Sequence, residues 1–290
     1  MGGAISIMKE IRMREMIFAG IITYNADIKI LENNLTAISH QLNEMIIVDN
    51  GSKNIEKISE VASKFNSFII KNENNEGIAK ALNQAMQCGV DRGYSWMLSL
   101  DQDSICPDKY VIEISRYLSI EDNIGVVAPI IVDRTFGVIG HNPVNEYAKV
   151  NTCITSGSVV NVGVWESVGG YDESMFIDLV DFEYCYRVRK QGYSVIQIRD
   201  IKLEHKLGDC ERHKLLFWNI RVNNHSASRK YFIARNNIYY PKKHHLHLHF
   251  IRGNLRNLQL IFIILLYENS KLSKIKSVSK GWYEGIQGVK

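Results

Sequence analysis

The stretch Trp96-Met97-Leu98-Ser99-Leu100 runs directly into Asp101-Gln102-Asp103-Ser104. A short unbroken apolar run is the pattern of a strand buried on both faces, as inside a parallel sheet. If the chain stays extended beyond it, positions i and i+2 point the same way, so Asp101 and Asp103 face one ligand. Two carboxylates held side by side are costly without a cation. An all-oxygen pair favours Mg2+ or Mn2+, which retain coordination places for phosphate oxygens. Short Asp-x-Asp strings are common and carry little specificity. The buried run that delivers this one is what argues against an ordinary surface loop.

Working upstream, Ile17 to Thr23 (IFAGIIT), Met45 to Val48 and Phe68 to Ile70 read as further strands. Between them, Asp27 to Leu42 has helical spacing through Ile30, Leu31, Leu35 and Ile38. Ile55 to Phe65 and Gly77 to Gly89 read as two more helices. Strand alternating with helix at this spacing predicts an α/β fold with a Rossmann-like, mostly parallel central sheet flanked by helices. Ligands of such sheets bind beyond the carboxyl ends of the strands. Those ends carry Thr23-Tyr24-Asn25, Asp49-Asn50-Gly51-Ser52, Asn72 to Gly77 and Asp101 to Ser104.

Downstream, the pattern predicts a helix at Tyr110 to Leu118, strands at Gly125 to Pro129 and Thr155 to Val162, and a polar stretch from Asp133 to Thr152. A helix over Leu179 to Lys190, closed by Gly192, precedes a strand at Ser194 to Ile198. On that helix Asp178 and Asp181 fall three apart, on one face. A carboxylate at a helix start is stabilised as the anion and can accept a proton from a hydroxyl brought within reach. Arg187, Arg189 and Lys190 are candidate structural partners of the acidic cluster. His205 follows a strand and is a candidate to complete a metal site; Arg229, Lys230 and Arg235 are candidate anion contacts. The chain has no GxGxxG and no GxxxxGK[ST], which counts against a dinucleotide or Walker-type site and leaves Gly51 and Gly77 as turn residues. The histidines at 244, 245, 247 and 249 alternate with leucines, which fits an interfacial segment better than a metal site.

Composition sets the outer bounds. The 290 residues are 46% hydrophobic and 23% charged with only 4 prolines, a globular chain without long disordered linkers. Five scattered cysteines with no CxxC exclude a compact cysteine zinc module and offer no disulfide framework, consistent with a reducing compartment. Residues 187–290 hold 21 of the 35 basic side chains and 6 of the 31 acidic ones, so a basic rear follows an acidic front. A basic rear is expected to meet something anionic. Residues 1–16 lack a signal-peptide apolar stretch, and the longest apolar run, Leu260 to Tyr267, is too short to span a bilayer. The expected location is cytoplasmic, peripheral on the inner face of the cell membrane. In the tail, Lys242, Lys243, Arg252, Arg256, Lys271, Lys274, Lys276 and Lys280 combine with the apolar run Leu260 to Leu266. That pattern fits either an anionic membrane surface or a helix packed on the core or on a second copy in a homodimer.

The ordered set of strings resembles the family 2 glycosyltransferases of GT-A fold, most closely their bacterial rhamnosyltransferase branch. It consists of Ile22-Thr23-Tyr24-Asn25, Val48-Asp49-Asn50-Gly51-Ser52, Asn74-Asn75-Glu76-Gly77-Ile78-Ala79, Leu100 to Ser104, Thr155-Ser156-Gly157, Val168 to Glu173, Phe176 to Arg187 and Tyr231 to Asn236. The resemblance implies a catalytic domain over 15–240, with a nucleotide-binding part at 15–130 and an acceptor-binding part at 131–240. A basic, helical C-terminal extension follows at 241–290. It implies inverting transfer of a sugar, L-rhamnose from dTDP-L-rhamnose, to a hydroxyl of a lipid-linked or oligosaccharide acceptor in bacterial surface polysaccharide synthesis. Asp181 would be the catalytic base. Thr23, Asn25, Asp49, Asn75, Gly77, Asp101 and Arg235 would bind the nucleotide. Asp103, Asp101 and His205 would hold Mg2+ or Mn2+, and Gly157 and Asp178 would meet the acceptor. One departure is Val180-Asp181, where the family usually has Glu-Asp; the rhamnosyl branch commonly tolerates that change. Another donor such as a UDP-sugar stays open, because the residues reading the sugar hydroxyls cannot be picked from the sequence. Two other classes compete: a haloacid-dehalogenase-like phosphatase, whose Asp-x-Asp loop normally follows the first strand, and a non-catalytic membrane or glycan binding module. No nucleic-acid partner is expected.

Overall fold

The structure, a computed structural model, describes residues 16–133, 135–204, 210–215 and 218–288. Its chain divides into two compact units, residues 1–173 with 181–206 and residues 174–180 with 207–290.

In the first unit β1 (Ile17–Thr23) is buried along its whole length and pairs in parallel with β2 (Met45–Asp49) and β4 (Trp96–Asp101). Beyond β2 lies β3 (Ser67–Lys71), also parallel. Alternation along β1 explains why it must be apolar throughout. Ile17, Ala19 and Ile21 join a core with Leu31, Leu35 and Ile38 of α1 (Ile28–Ser39) and Ile58 of α2 (Ile55–Ala62). Phe18 instead lies against Gly89 of α3 (Ile78–Asp91), so helices cover both faces. Asp27 caps α1 by accepting from the amides of Lys29 and Ile30.

The full sheet has the order β3-β2-β1-β4-β8-β5-β9-β7. Here β5 is Ile124–Asp133, β7 Tyr147–Lys149, β8 Val159–Asn161 and β9 Ser194–Glu204; β6 (Gly137–Ile139) pairs with β5 at its side. Three short helices belong to this unit, α4 (Tyr110–Ser115), α5 (Val162–Val168) and α6 (Val180–Lys190). The sheet is parallel from β3 through β4 and mixed thereafter, with β8 antiparallel to both β4 and β5. Two expectations change. The polar stretch after Asp133 contains β6 and β7, three-residue strands too short to establish a period. The strand expected over 155–162 is only β8, because Gly157 turns the chain before it and Asn161 caps α5 after it.

The second unit carries a hairpin, β10 (Cys210–Leu215) with β11 (Trp218–Asn223), and three helices. These are α7 (Ala227–Lys243), α8 (His247–Tyr267) and α9 (Lys271–Gln287). Ala234, Ile264 and Val278, one from each helix, form its apolar centre. The helices approach closely through glycines: a methyl carbon on Gly281 would overlap the carbonyl of Tyr231, and one on Gly253 that of Asn237. Under this cluster Glu268 accepts from both Lys230 and Lys274, all three side chains being buried. Lys274 therefore leaves the set of basic residues expected to face a membrane. The tail is also not a choice between surface and core, since one face of α8 and α9 packs on α7 while the other is exposed. Among the described residues no helix is long and apolar enough to cross a membrane.

Candidate active site

The parallel register sets Thr23 opposite Asp49, and Ile22 opposite Asp101, along one edge of the sheet. Asp49 is buried, and both its oxygens are engaged. Oδ1 accepts from Thr23 Oγ1 at 2.9 Å and Oδ2 from the Ser52 amide at 2.9 Å. Each carboxylate oxygen has a second lone pair, so a ligand N–H can still be accepted. Asn25, in a left-handed conformation, links the same loops: its amide donates to Ser52 Oγ at 2.7 Å and its Oδ1 accepts from the Lys53 amide. Asn50 was not singled out from the sequence, yet it organises the edge. Its Oδ1 accepts from the Glu76 amide and Asn72 Nδ2, and its Nδ2 donates to Asn75 Oδ1 and the Gly77 carbonyl. Gly77 has φ +87°, a conformation that side chains rarely adopt, where the chain turns into α3. Thr23, Asn25, Asp49, Asn75 and Gly77 are thus brought together.

Asp101 is the last residue of β4, but the chain does not continue extended through Asp103. The Ser104 amide donates to the Asp101 carbonyl at 3.1 Å, which closes a turn over Gln102 and Asp103. The shared-side geometry expected of a strand end is replaced by that of a turn, with Asp103 exposed. Gln102 is held by the Tyr24 amide at 2.8 Å, and Asn34 Nδ2 donates to the Asp101 carbonyl at 2.8 Å. Ser104 is fully buried, with its Oγ 2.6 Å from Ser156 Oγ. Ser104 thereby ties the acidic turn to the loop that carries Gly157. Gly157 (φ +76°) is itself enclosed: a Cβ there would meet Leu203 at 2.7 Å, and its carbonyl accepts from the Tyr110 hydroxyl at 2.6 Å. It shapes the loop through its backbone. The donor set at this edge is carboxylate oxygen, which fits a hard divalent cation. The third expected ligand, His205, lies outside the described residues. Among the described residues no group of three or more His, Cys, Asp or Glu gathers as a metal site.

Asp181 stands in the first turn of α6 and lines a small recess with Cys153, Thr155, Tyr171, Tyr184 and Cys185. It is the single carboxylate among the lining residues. A hydrogen bond with Cys185, then burial, pushes the Cys153 thiol well above its ordinary range. Burial does the same to the phenols of Tyr171 and Tyr184. Two residues on, Glu183 is fully buried and grips Arg187 through Nε and Nη2, while Arg187 also donates to the carbonyls of Val168 and Gly170. This pair anchors α6 to the preceding turn and fixes where Asp181 sits.

Asp178 does not share a helical face with Asp181. The helix begins at Val180, and Phe176, Asp178 and Leu179 all have positive φ. Such conformations persist in non-glycine residues only where surroundings over-determine them. In the second unit those surroundings are visible. Asn236 Nδ2 donates to the carbonyls of Met175, Ile177 and Asp178, and the Phe176 ring stacks on Phe232 at 4.5 Å. The Asp178 carboxylate pairs with Arg229 at 3.1 Å. Arg235 is buried, donates to the Ser174 carbonyl and Asn236 Oδ1, and lies over the Phe232 ring.

Comparison with known proteins gives this fold as that of the GT-A glycosyltransferases. The family model described as Glycosyl transferase family 2 matches residues 19–153. The dTDP-rhamnosyl transferase RfbF of Shigella flexneri is 30% identical over 96% of this chain and 97% of its own. The chain belongs to glycosyltransferase family 2. Solved structures of similar fold include S. aureus TarS 1-349 in complex with UDP-GlcNAc, with TM-score 0.61 and 12% identity, covering 93% of this chain and 81% of that one. A second is the mannosyltransferase PcManGT from Pyrobaculum calidifontis in complex with GDP-Man and Mn2+, with TM-score 0.58 and 10% identity, covering 98% and 83%.

Proposed function

We propose that this glycosyltransferase moves L-rhamnose from dTDP-L-rhamnose, with inversion, to a hydroxyl of a saccharide acceptor. The observation that carries the donor assignment is the 30% identity to a dTDP-rhamnosyl transferase along nearly the whole of both chains. In this reading Asp49 accepts from the base, and Thr23, Asn25, Asn75 and Gly77 form the walls around the nucleoside, with Asp101 at the ribose. Asp101 and Asp103 hold Mg2+ or Mn2+, with His205 as the third ligand. When bound, such a cation offsets the charge that develops on the departing diphosphate. Arg235 serves the diphosphate side by positioning the loop it anchors, and Asp178 and the Gly157 loop shape the acceptor side. The functional division is 15–130 for the nucleotide, 131–240 for the acceptor and 241–290 as the extension.

Asp181 takes the proton from the attacking hydroxyl while that oxygen bonds to the anomeric carbon and the bond to diphosphate breaks. No covalent sugar–enzyme adduct is formed, so the configuration inverts. Asp181 is the only carboxylate among the residues lining its recess, and the Cys153 thiol and the Tyr171 and Tyr184 phenols beside it have raised pKa values. The acceptor in this reading is a lipid-linked saccharide of a bacterial surface polysaccharide, used at the inner face of the cell membrane.

A donor panel tests the reading. dTDP-L-rhamnose, UDP-GlcNAc and GDP-mannose are supplied with Mn2+, with Mg2+ or with a chelator, and released nucleoside diphosphate is scored. Release is expected from dTDP-L-rhamnose, to vanish with chelator, and to be lost in Asp103→Ala. Equal release with chelator removes the metal assignment, and release from another donor alone removes the rhamnosyl one.

A further inference from the structure

Helix α8 (His247–Tyr267) has two faces that differ in kind. Gly253, Asn257 and Ile264 are buried on one side. On the other, Leu248, Ile251, Leu255, Leu258, Phe262 and Leu265 are exposed, from 70% at Leu248 to 48% at Leu265. Their spacing of three and four residues makes one continuous apolar stripe along the outer side of a 21-residue helix. An exposed apolar surface of this length is unusual on a soluble protein and marks an interaction site. Leu272, at 87% exposure, adds a further apolar side chain seven residues after Leu265, at the start of α9.

The charges beside the stripe select its partner. Arg252 and Arg256, both exposed, each follow a stripe residue by one position, so they run along one edge of it. Lys242 and Lys243 at the end of α7, and Lys271 and Lys276 in the first two turns of α9, are also exposed. Helix α8 contains no Asp or Glu. The nearby carboxylates are occupied, Glu268 by Lys230 and Lys274, and Glu284 by Tyr231 and Lys280. A second copy of the chain docking here would bring four arginines to a contact in which neither helix offers a carboxylate.

We propose that the outer face of α8 lies flat in the surface of an anionic phospholipid bilayer. The leucines and Phe262 enter the acyl boundary. The arginines keep their stems along the apolar surface and their guanidinium groups at the phosphates. The inference deepens the membrane-side part of the function proposed above, and rests on it for its purpose but not for its geometry. A spanning arrangement is excluded by the opposite face, which is packed on α7 through Gly253 and Asn257.

The test is co-sedimentation of the full chain with vesicles of equal parts phosphatidylglycerol and phosphatidylcholine, and with phosphatidylcholine alone. No sugar donor is present, so failure of the rhamnosyl reading leaves this result untouched. Binding to the anionic vesicles is expected to exceed that to neutral ones about tenfold and to weaken as salt rises. The double variant Leu255→Ser/Phe262→Ser is expected to lose about tenfold in binding, and Arg252→Gln/Arg256→Gln to lose the preference for anionic lipid. Equal binding to both vesicles, or undiminished binding by the double variant, overturns the proposal. So does a chain that ignores vesicles and sediments as a dimer which the double variant dissociates. If the double variant does not fold, Phe262→Trp replaces it: its emission is expected to be quenched by bromine-labelled anionic lipid beyond the parent chain, and absence of that extra quenching overturns the proposal.

Discussion

At the scale of single residues, Asp181 owes its assigned part to contrast with its surroundings. It is the one carboxylate in a recess where burial and hydrogen bonding raise the pKa of the Cys153 thiol and of the Tyr171 and Tyr184 phenols. Asp181→Asn keeps the shape and removes the acceptor. Turnover at saturating acceptor is expected to fall at least ~10²-fold, the lower end for loss of a general base, while nucleotide affinity measured by calorimetry stays unchanged. Undiminished turnover shifts the proton to another group. His225 makes a second residue-scale prediction. Burial, and then the Arg229 guanidinium, pushes its imidazole down to about 4, against the opposing pull of Asp178 and Glu268. The unfolded chain takes up a proton near the ordinary value of about 6.5, before the folded chain does. The stability tied to His225 is therefore fully present above that value and is lost as pH falls toward about 4. Denaturant midpoints of the native chain should decline across this window, and His225→Gln should flatten the decline. Parallel curves for the two proteins count against it. Asp49 and Asp101 were legible because each ends an apolar run. The part of Asn50 was not, since its four partners come from loops that only the folded sheet brings together.

At the scale of elements, buried strands are the features a sequence states most clearly. IFAGIIT reads as a buried strand, and β1 is one, with α1 and α2 on one side and α3 on the other. The short edge strands β6 and β7 leave no such mark, because each has a face in solvent and three residues establish no period. The segment 176–179 was expected to flow into a helix face. Its left-handed residues are held by Asn236, nearly 60 positions away, and no local pattern announces a constraint of that range. The helical unit makes the sharpest element-scale prediction. Glu268→Gln leaves Lys230 and Lys274 buried without their anion. The expected loss is about 3–5 kcal/mol in chemical denaturation, the range for breaking a buried ion pair from one side. Lys280→Gln, which removes only the exposed partner of Glu284, should cost under about 1 kcal/mol. Comparable losses from the two would mean that the buried cluster does not hold α7, α8 and α9 together.

At the scale of the whole molecule, an acidic front and a basic rear in the sequence correspond to two units of different construction. One is a sheet whose strand ends gather nucleotide-binding types of side chain; the other is a set of helices with a buried charge cluster and an apolar outer stripe. The order of short motifs made the family legible, because most of the eight lie at separate strand ends or helix termini and chance does not arrange them in sequence. The donor sugar was less legible, since sugar hydroxyls are read by side chains from several loops whose identities vary without changing the fold. The claim that joins both scales is direct displacement at the anomeric carbon, with Asp181 receiving the proton. Its most direct measurement is the anomeric configuration of the glycosidic product, read by NMR from the one-bond carbon–hydrogen coupling at the anomeric position of the transferred sugar. The account predicts the configuration opposite to that of the donor. Retention of the donor configuration would contradict it, since retention requires either two displacements or attack from the face of the departing diphosphate.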